Sequence, residues 1–272
     1  MRSALRDLFE TGDLAAGGQD AEQRLFSRVR LPSGVLKTTE PHRLDDVNQV
    51  LLPLLPRGGR LELMDVAVST GITSLEWSEQ LAAAGIEHRL LCGDSHVEAE
   101  WLALPALGDI LLDRDRQELL FVELFGRTVD PSGRSRKSAV AVMAVKGVAR
   151  LALGLRLRAR RVDLVSPAVR ACSTVSVIQD DIFAPRPDLN GRFHALRAAN
   201  ILNRAYFDDE QLRAGIALLR KRLRPRGLLI LCRTTDDGTN HGSIVQAADA
   251  GWIVTARIGD GSELEDLLGA ED

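Results

Sequence analysis

Three short groups of residues have the types and spacing to hold a nucleoside-like ligand. Asp65-Val66-Ala67-Val68-Ser69-Thr70-Gly71 runs from an apolar stretch directly into helical spacing. Small residues at 67, 69 and 71 permit a tight turn and close approach of a ligand to backbone N–H groups. This is not the GxGxxG dinucleotide pattern, because Gly71 is its only glycine. Asp94 follows 23 residues after Gly71, where a carboxylate can accept both hydroxyls of a ribose. Asp163 is the rival acid, at a much longer separation. Asp180-Asp181-Ile182 offers a carboxylate to an adenine amino group, beside backbone that can cradle the ring. Each group also reads as an ordinary turn or cap, and their position after successive strands is what joins them.

Placing these residues requires a particular set of elements. Residues 1–60 read as a helical segment, with short amphipathic pieces at Ala4–Glu10 and Ala21–Val29 and a helix at Leu44–Leu52 stopped by Pro53 and Pro56. From Leu61 buried strands alternate with helices. Strands are expected at Leu61–Ala67, Arg89–Gly93, Val175–Gln179, Phe193–Ala198 and Leu228–Cys232. Helices are expected at Thr73–Ala83, Ser138–Arg158 and Asp208–Arg222. Residues 109–124 read as an inserted β-hairpin, and Ile244–Ala247 with Trp252–Ile258 as a closing one. The alternation implies an α/β fold, a doubly wound and mostly parallel sheet with helices on both faces. Ligands bind such a sheet at the carboxyl ends of its strands, where all three groups stand. On this reading 61–272 form the ligand-binding catalytic domain, and residues 1–60 with the hairpin form a substrate cover.

Composition narrows the classes. The chain has 272 residues, 45% of them hydrophobic, and a formal net charge of -3. That is enough apolar content for a full core, and it argues against a protein that coats nucleic acid. Cys92, Cys172 and Cys232 are isolated, no Cys/His set has metal-ligand spacing, and no metal is expected. Scattered thiols fit a reducing, cytoplasmic setting. The start lacks a long apolar run, which argues against a secretory signal. The most apolar stretch, Ser138–Leu155, is interrupted by Lys146 and Arg150, each costing about 2.5–3.5 kcal/mol at a bilayer centre. The net charge conceals a local excess. Arg134, Arg136, Lys137, Lys146, Arg150, Arg156, Arg158, Arg160 and Arg161 fall in 134–161 with no acid among them. This is a helix whose long side chains reach solvent, or a docking surface for an acidic peptide or an anionic membrane.

Phe193-His194-Ala195-Leu196-Arg197-Ala198-Ala199-Asn200-Ile201-Leu202 leads through a helix to Leu223-Arg224-Pro225-Arg226-Gly227-Leu228-Leu229. Together with the turn, the acid and Asp-Asp-Ile, this order resembles the class I S-adenosylmethionine-dependent methyltransferases. Segment 193–232 is similar to chemotaxis-receptor carboxyl methyltransferases and to many small-molecule methyltransferases. The resemblance covers residues 61 to about 233 and is interrupted by 97–160. It implies a Rossmann-like domain that binds S-adenosyl-L-methionine. Asp65, Ala67, Ser69 and Gly71 would line the methionine moiety, Asp94 would hold the ribose, and Asp180 or Asp181 with Ile182 the adenine. Asn200 would stand beside the sulfonium. The departure is at 67 and 69, where side chains replace the family's glycines.

Methyl transfer is an in-line displacement that depends on alignment and desolvation. An ionised carboxylate acceptor needs no general base, whereas a hydroxyl normally does. Asn200 is not followed by Pro-Pro-aromatic, and no Pro-Cys stands there, so an oxygen acceptor on a small molecule or a peptide carboxylate is the expected class. The polar candidates around the reaction are His42, Arg43, Asn203, Arg204, Tyr206 and His241. Arg43 or Arg204 could grip an acceptor carboxylate in a bidentate fork. Two other readings compete, an NAD-dependent oxidoreductase and a non-catalytic binding or regulatory protein on the same fold.

Overall fold

The apolar run Leu61–Val66 forms a strand (β1) that is buried along almost its whole length, as the inner strand of a parallel sheet must be. The computed structural model describes residues 40–104, 107–113, 118–129, 142–147, 159–249 and 251–269. The helices expected at Ala4–Glu10 and Ala21–Val29 lie outside the described residues, as does most of the basic segment 134–161. Of the Ser138–Arg158 helix, residues 142–147 are described and are helical. The chain divides into two compact units, one holding the described residues of 40–95 and 168–269 and the other those of 96–167.

The first unit contains a seven-stranded sheet. Its strands are β1, β2 (His88–Asp94), β8 (Val175–Gln179), β9 (Phe193–Ala199), β10 (Leu223–Thr234), β11 (Asn240–Ala247) and β12 (Trp252–Ile258), ordered β12-β11-β10-β9-β1-β2-β8. The pairs β8–β2, β2–β1, β1–β9 and β9–β10 are parallel, whereas β10–β11 and β11–β12 are antiparallel. The five parallel strands therefore run third-second-first-fourth-fifth, the order of a Rossmann-type sheet, with its reversal between β1 and β9. The last two strands close the sheet as a meander, in place of further strand–helix units.

Side chains of β1 alternate between two cores. Leu61 and Leu63 pack with Val47 and Leu51 of helix α1 (Asp45–Leu51) and with Trp77 and Leu81 of helix α2 (Ile72–Ala83). Met64 and Val66 pack with Leu212, Ile216 and Leu219 of helix α4 (Asp209–Arg222). A short helix, α3 (Pro167–Ala171), precedes β8. Helix α4 starts where its sequence directs. The Asp208 side chain accepts from the Gln211 amide, Gln211 reciprocates on the Asp208 amide, and Arg220, Lys221 and Arg222 occupy the negative end of the dipole.

Residues 98–163 form more than the expected hairpin. Strands β3 (Glu98–Leu104), β4 (Gly108–Asp113), β5 (Leu119–Leu124), β6 (Arg127–Val129) and β7 (Arg160–Asp163) make an antiparallel sheet ordered β6-β5-β4-β3-β7. The hairpin β4–β5 is there, but β3 reads poorly as a strand. Its Ala, Glu and Leu residues favour helix, and pairing on both edges overrides that preference. The Trp101 indole donates to the buried Asp109 across the β3–β4 pair at 3.0 Å. A Cβ on Gly108 would lie 1.9 Å from the Glu123 carbonyl oxygen, so only glycine fits there.

Two arginines are fully buried in the first unit. Arg197 on β9 meets Asp65 on β1 through Nε at 3.1 Å and through Nη2, donates to Asn48 Oδ1 of α1 at 2.8 Å and to the Thr73 carbonyl, and lies 4.6 Å from the Trp77 ring centre. Arg222 at the end of α4 meets Asp180 at 2.6 and 3.2 Å. Removing one member of such a pair strands the other charge away from water. Arg197→Met is therefore expected to lower the unfolding free energy by about 3–5 kcal/mol. Urea denaturation checks this, and a loss below about 1 kcal/mol would mean that Ser74 alone suffices to hold Asp65.

Candidate ligand site at the carboxyl ends of the parallel strands

The chain leaves β1 through a turn of unusual backbone geometry. Ala67, Ser69 and Gly71 all have positive φ, at 56°, 57° and 84°. Alanine and serine seldom adopt this region, and two in one turn store strain of the kind found at ligand-binding loops. Tertiary contacts fix the turn. The Ser69 amide donates to Asp94 Oδ2 at 2.8 Å, and the Val68 amide donates to the Gly93 carbonyl at 3.2 Å. Gly71 begins α2, and a Cβ there would press on both methyls of Val169 at 3.1 Å. The Ser69 hydroxyl is sealed from solvent and has no hydrogen-bond partner. A sealed hydroxyl without a partner is uncommon in folded proteins.

The acids at the strand ends take different parts. Asp65 is buried and already accepts from Arg197 and from the Ser74 hydroxyl, the latter at 2.6 Å, so its carboxylate is a structural link under the turn. Asp94 stands at the carboxyl end of β2 and fastens the turn through Ser69. Asp180 follows β8, but its side chain is fully buried against Arg222, with Arg186 3.5 Å away. Asp181 is exposed and accepts the Phe183 amide at 2.9 Å, beside the buried Ile182. Asp163 lies in the five-stranded sheet, where its Oδ1 accepts the Val165 amide.

Asn200, just past β9, also has positive φ, at 59°. Its amide group is spent on β10, accepting from the Thr234 amide at 2.7 Å and donating to the Thr234 hydroxyl at 3.1 Å. That hydroxyl donates to Asn240, which donates in turn to the Arg43 carbonyl and to Asp46 at 2.6 and 2.7 Å. A hydrogen-bonded rim thus runs from β9 across β10 and β11 to the segment before α1.

The other candidates separate clearly. Arg204 is consumed by Asp209, Asp266 and the Glu263 carbonyl at 3.0, 2.6 and 2.7 Å, and its hydrogen bond to Asp266 raises its pKa above the ordinary value. Asn203 is buried and accepts the Ala205 amide, while Tyr206 is half exposed. His241, at the start of β11, accepts the Asp260 amide on Nδ1. His42 is exposed, with its amide on Glu76 at 2.8 Å and its ring 3.1 Å from Asp45. Arg43 is half-buried, and its side chain has no hydrogen bond or ion pair among the described residues. No nucleophile–base pair is assembled among these candidates in the described residues.

Sequence reasoning passed over Arg197 and Arg222. The signal was present in Leu196-Arg197-Ala198, a cation inside an apolar strand, which is rarely buried without a partner.

No protein-family model matches the chain, and no curated protein does. Solved structures similar to it include the CMeT domain of the citrinin polyketide synthase, at 15% identity over 86% of this chain and 43% of that one, TM-score 0.38. The CurJ carbon methyltransferase matches at 14% identity over 86% of this chain and 42% of that one, TM-score 0.36. The PH0226 protein from Pyrococcus horikoshii OT3 matches at 11% identity over 83% and 78%, TM-score 0.38. The chain spans less than half the length of the first two.

The strained turn gives a direct test. A left-handed L-residue costs about 1–2 kcal/mol, and glycine's extra unfolded-state freedom costs about 0.5–1 kcal/mol. Ala67→Gly should leave stability unchanged or raise it by up to about 1 kcal/mol. Ala67→Val should lose about 2 kcal/mol or more, because a β-branched residue is a true outlier at this φ. Equal stability of the two variants in urea would show that the turn does not hold its left-handed form in solution.

Proposed function

We propose that this chain is an S-adenosyl-L-methionine-dependent methyltransferase acting on an oxygen of a small molecule or of a peptide carboxylate. One observation carries the reading. A strained left-handed turn, with an orphaned hydroxyl and an acid fastened to its backbone, stands where the strand order reverses in a sheet of Rossmann order. Helices on both faces of that sheet are part of this reading, and the packing of α1 and α2 in one core and of α4 in the other supports it.

The residues present suit the cofactor, since the left-handed turn at Ala67, Ser69 and Gly71 ends β1 with an unpartnered hydroxyl on Ser69. When bound, the cofactor supplies an electrophilic methyl group on a sulfonium. Ala67, Ser69 and Gly71 line its amino-acid part, Asp94 accepts from the ribose, and Asp181 with the Ile182 backbone takes the adenine. Asp180, committed to Arg222, contributes through the shape of that loop. Asn200 fixes the end of β9 beside the reacting group through Thr234. The chain's part in the displacement is alignment and exclusion of water, which suits an acceptor oxygen that is already ionised.

A non-catalytic binding protein is the second reading, favoured by the side chains at 67 and 69 that narrow the turn. Residues 1–60 and the hairpin 109–124 remain the proposed substrate cover. The basic segment 134–161 remains a proposed docking surface. No helix among the described residues is long and apolar enough to cross a membrane.

Calorimetry with S-adenosylhomocysteine and with NADH separates the readings. Saturable binding of the first and none of the second is expected, with Asp94→Ala weakening affinity at least tenfold, or about 1.4 kcal/mol. Binding of neither ligand would overturn the cofactor assignment. Full affinity in Asp94→Ala would overturn its ribose role. Tight binding without methylation of any offered carboxylate or hydroxyl acceptor would favour the binding protein.

A further inference from the structure

We propose that His96, Asp113 and Glu118 form a binding site for a divalent transition-metal ion, and that their donor chemistry selects zinc. The site belongs to the five-stranded sheet and stands independently of the reading of the parallel strand ends.

An imidazole nitrogen of His96 and a carboxylate oxygen from each of the two acids all lie within 4.8 Å of one another, so a single ion reaches all three. His96 and Asp113 are buried and Glu118 is half-buried. His96 Nε2 stands 3.7 Å from Asp113 Oδ2, beyond a hydrogen bond. Zinc bonds of about 2.0–2.2 Å at tetrahedral angles set two such donors roughly 3.4 Å apart, so the gap is close to the one an ion imposes. Glu118 supplies a second, independent observation. Its Oε2 is sealed from solvent and has no hydrogen-bond partner among the described residues. A carboxylate oxygen in that state is costly, and a cation beside it offsets the cost. Two carboxylates this close also repel each other, and a divalent ion meets both at once.

Strand pairing assembles the set. Asp113 is the last residue of β4 and pairs with Ala99 of β3, so it stands at the end of the sheet where His96 leads into β3. The Asp113 amide donates to the Glu118 carbonyl at 2.7 Å, which holds Glu118 at the start of β5 beside it. Backbone hydrogen bonds thus fix the donors before any ion arrives. No Cys/His spacing announces them, because the partners of the histidine are acids 17 and 22 positions further on. One imidazole with two carboxylates is a zinc donor set, neither the thiolate set of soft ions nor the all-oxygen set of magnesium and calcium. Three protein donors leave the fourth position to water. An ion held there ties the entry of β3 to both ends of the β4–β5 turn and stabilises the inserted sheet. The other grouping of this kind among the described residues is His42, Asp45 and Glu76. Its histidine is exposed, and Glu76 already accepts the His42 amide.

The test uses the full chain, stripped of metal with a chelator and then titrated with Zn²⁺ in competition with a chromophoric chelator. Melting temperature is read with and without the ion. Wild type is expected to bind one tight equivalent and to melt at a higher temperature when loaded. Losing even an outer partner of a metal ligand costs about 10–100-fold in affinity. His96→Gln and Glu118→Gln should therefore each weaken binding by at least about tenfold and remove the thermal shift, whereas His42→Gln should keep both. Circular dichroism verifies that the variants are folded. Should His96→Gln fail to fold, Glu118→Gln carries the test, because its side chain keeps nearly the same shape at a half-buried position. No tight binding by wild type overturns the proposal. So does wild-type affinity in Glu118→Gln, and so does binding lost only in His42→Gln, which would place the ion on the exposed grouping instead.

Discussion

A guanidinium in the interior of a parallel sheet constrains everything around it. Arg197 projects from β9 into the core shared with α1 and α2, and its charge must be met there because water cannot reach it. Asp65 meets it from β1, Asn48 from α1 and the Thr73 carbonyl from the start of α2, while Trp77 covers its face. Four elements are thereby held in a single arrangement. The satisfied network discriminates against every packing that would leave one of these groups unpaired. It joins Asp65 at the end of β1 to Thr73 at the start of α2, so the pair that locks β1 to β9 also fixes both ends of the turn at 67–71.

This commitment divides the strand-end acids between structure and function. Asp65 and Asp180 look alike in sequence to an acid free for a ligand, but each is neutralised by a buried arginine on its own side of the sheet. Asp94 binds a backbone amide of the turn and so couples the second strand to the shape of the first loop. Asp181, by contrast, is exposed at the end of β8. The polar rim from Asn200 through Thr234 and Asn240 to the Arg43 carbonyl ties the ends of β9, β10 and β11 to the segment before α1.

The insertion and the meander show where the chain departs from a plain doubly wound sheet. The five antiparallel strands between β2 and β8 have their own core, made by residues such as Leu102, Ile110, Leu119 and Val122. They enter the chain where a single helix would otherwise connect two parallel strands. The meander β10–β11–β12 brings Asn240 and His241 to the carboxyl end of β10, because an antiparallel partner starts where its neighbour stops. A further strand–helix unit would have placed these residues elsewhere.

The sequence by itself determined what neighbouring residues decide among themselves. Apolar runs of strand length, the helix beginning at Asp208, the hairpin 109–124 and the closing hairpin of Ile244–Ala247 with Trp252–Ile258 all rest on contacts a few residues apart. The alternation of these elements carried the mostly parallel character of the main sheet. Only the tertiary structure decided the partners of the charges. Arg197 and Asp65 lie 132 positions apart, and Arg222 and Asp180 lie 42 apart. No local rule says which buried acid a given arginine will find. The strand Glu98–Leu104 was hidden for a related reason, as its residues prefer helix and became a strand through pairing with chain as distant as Arg160–Asp163. The left-handed forms of Ala67 and Ser69 were equally out of reach, because intrinsic preference opposes them and hydrogen bonds to Gly93 and Asp94 impose them.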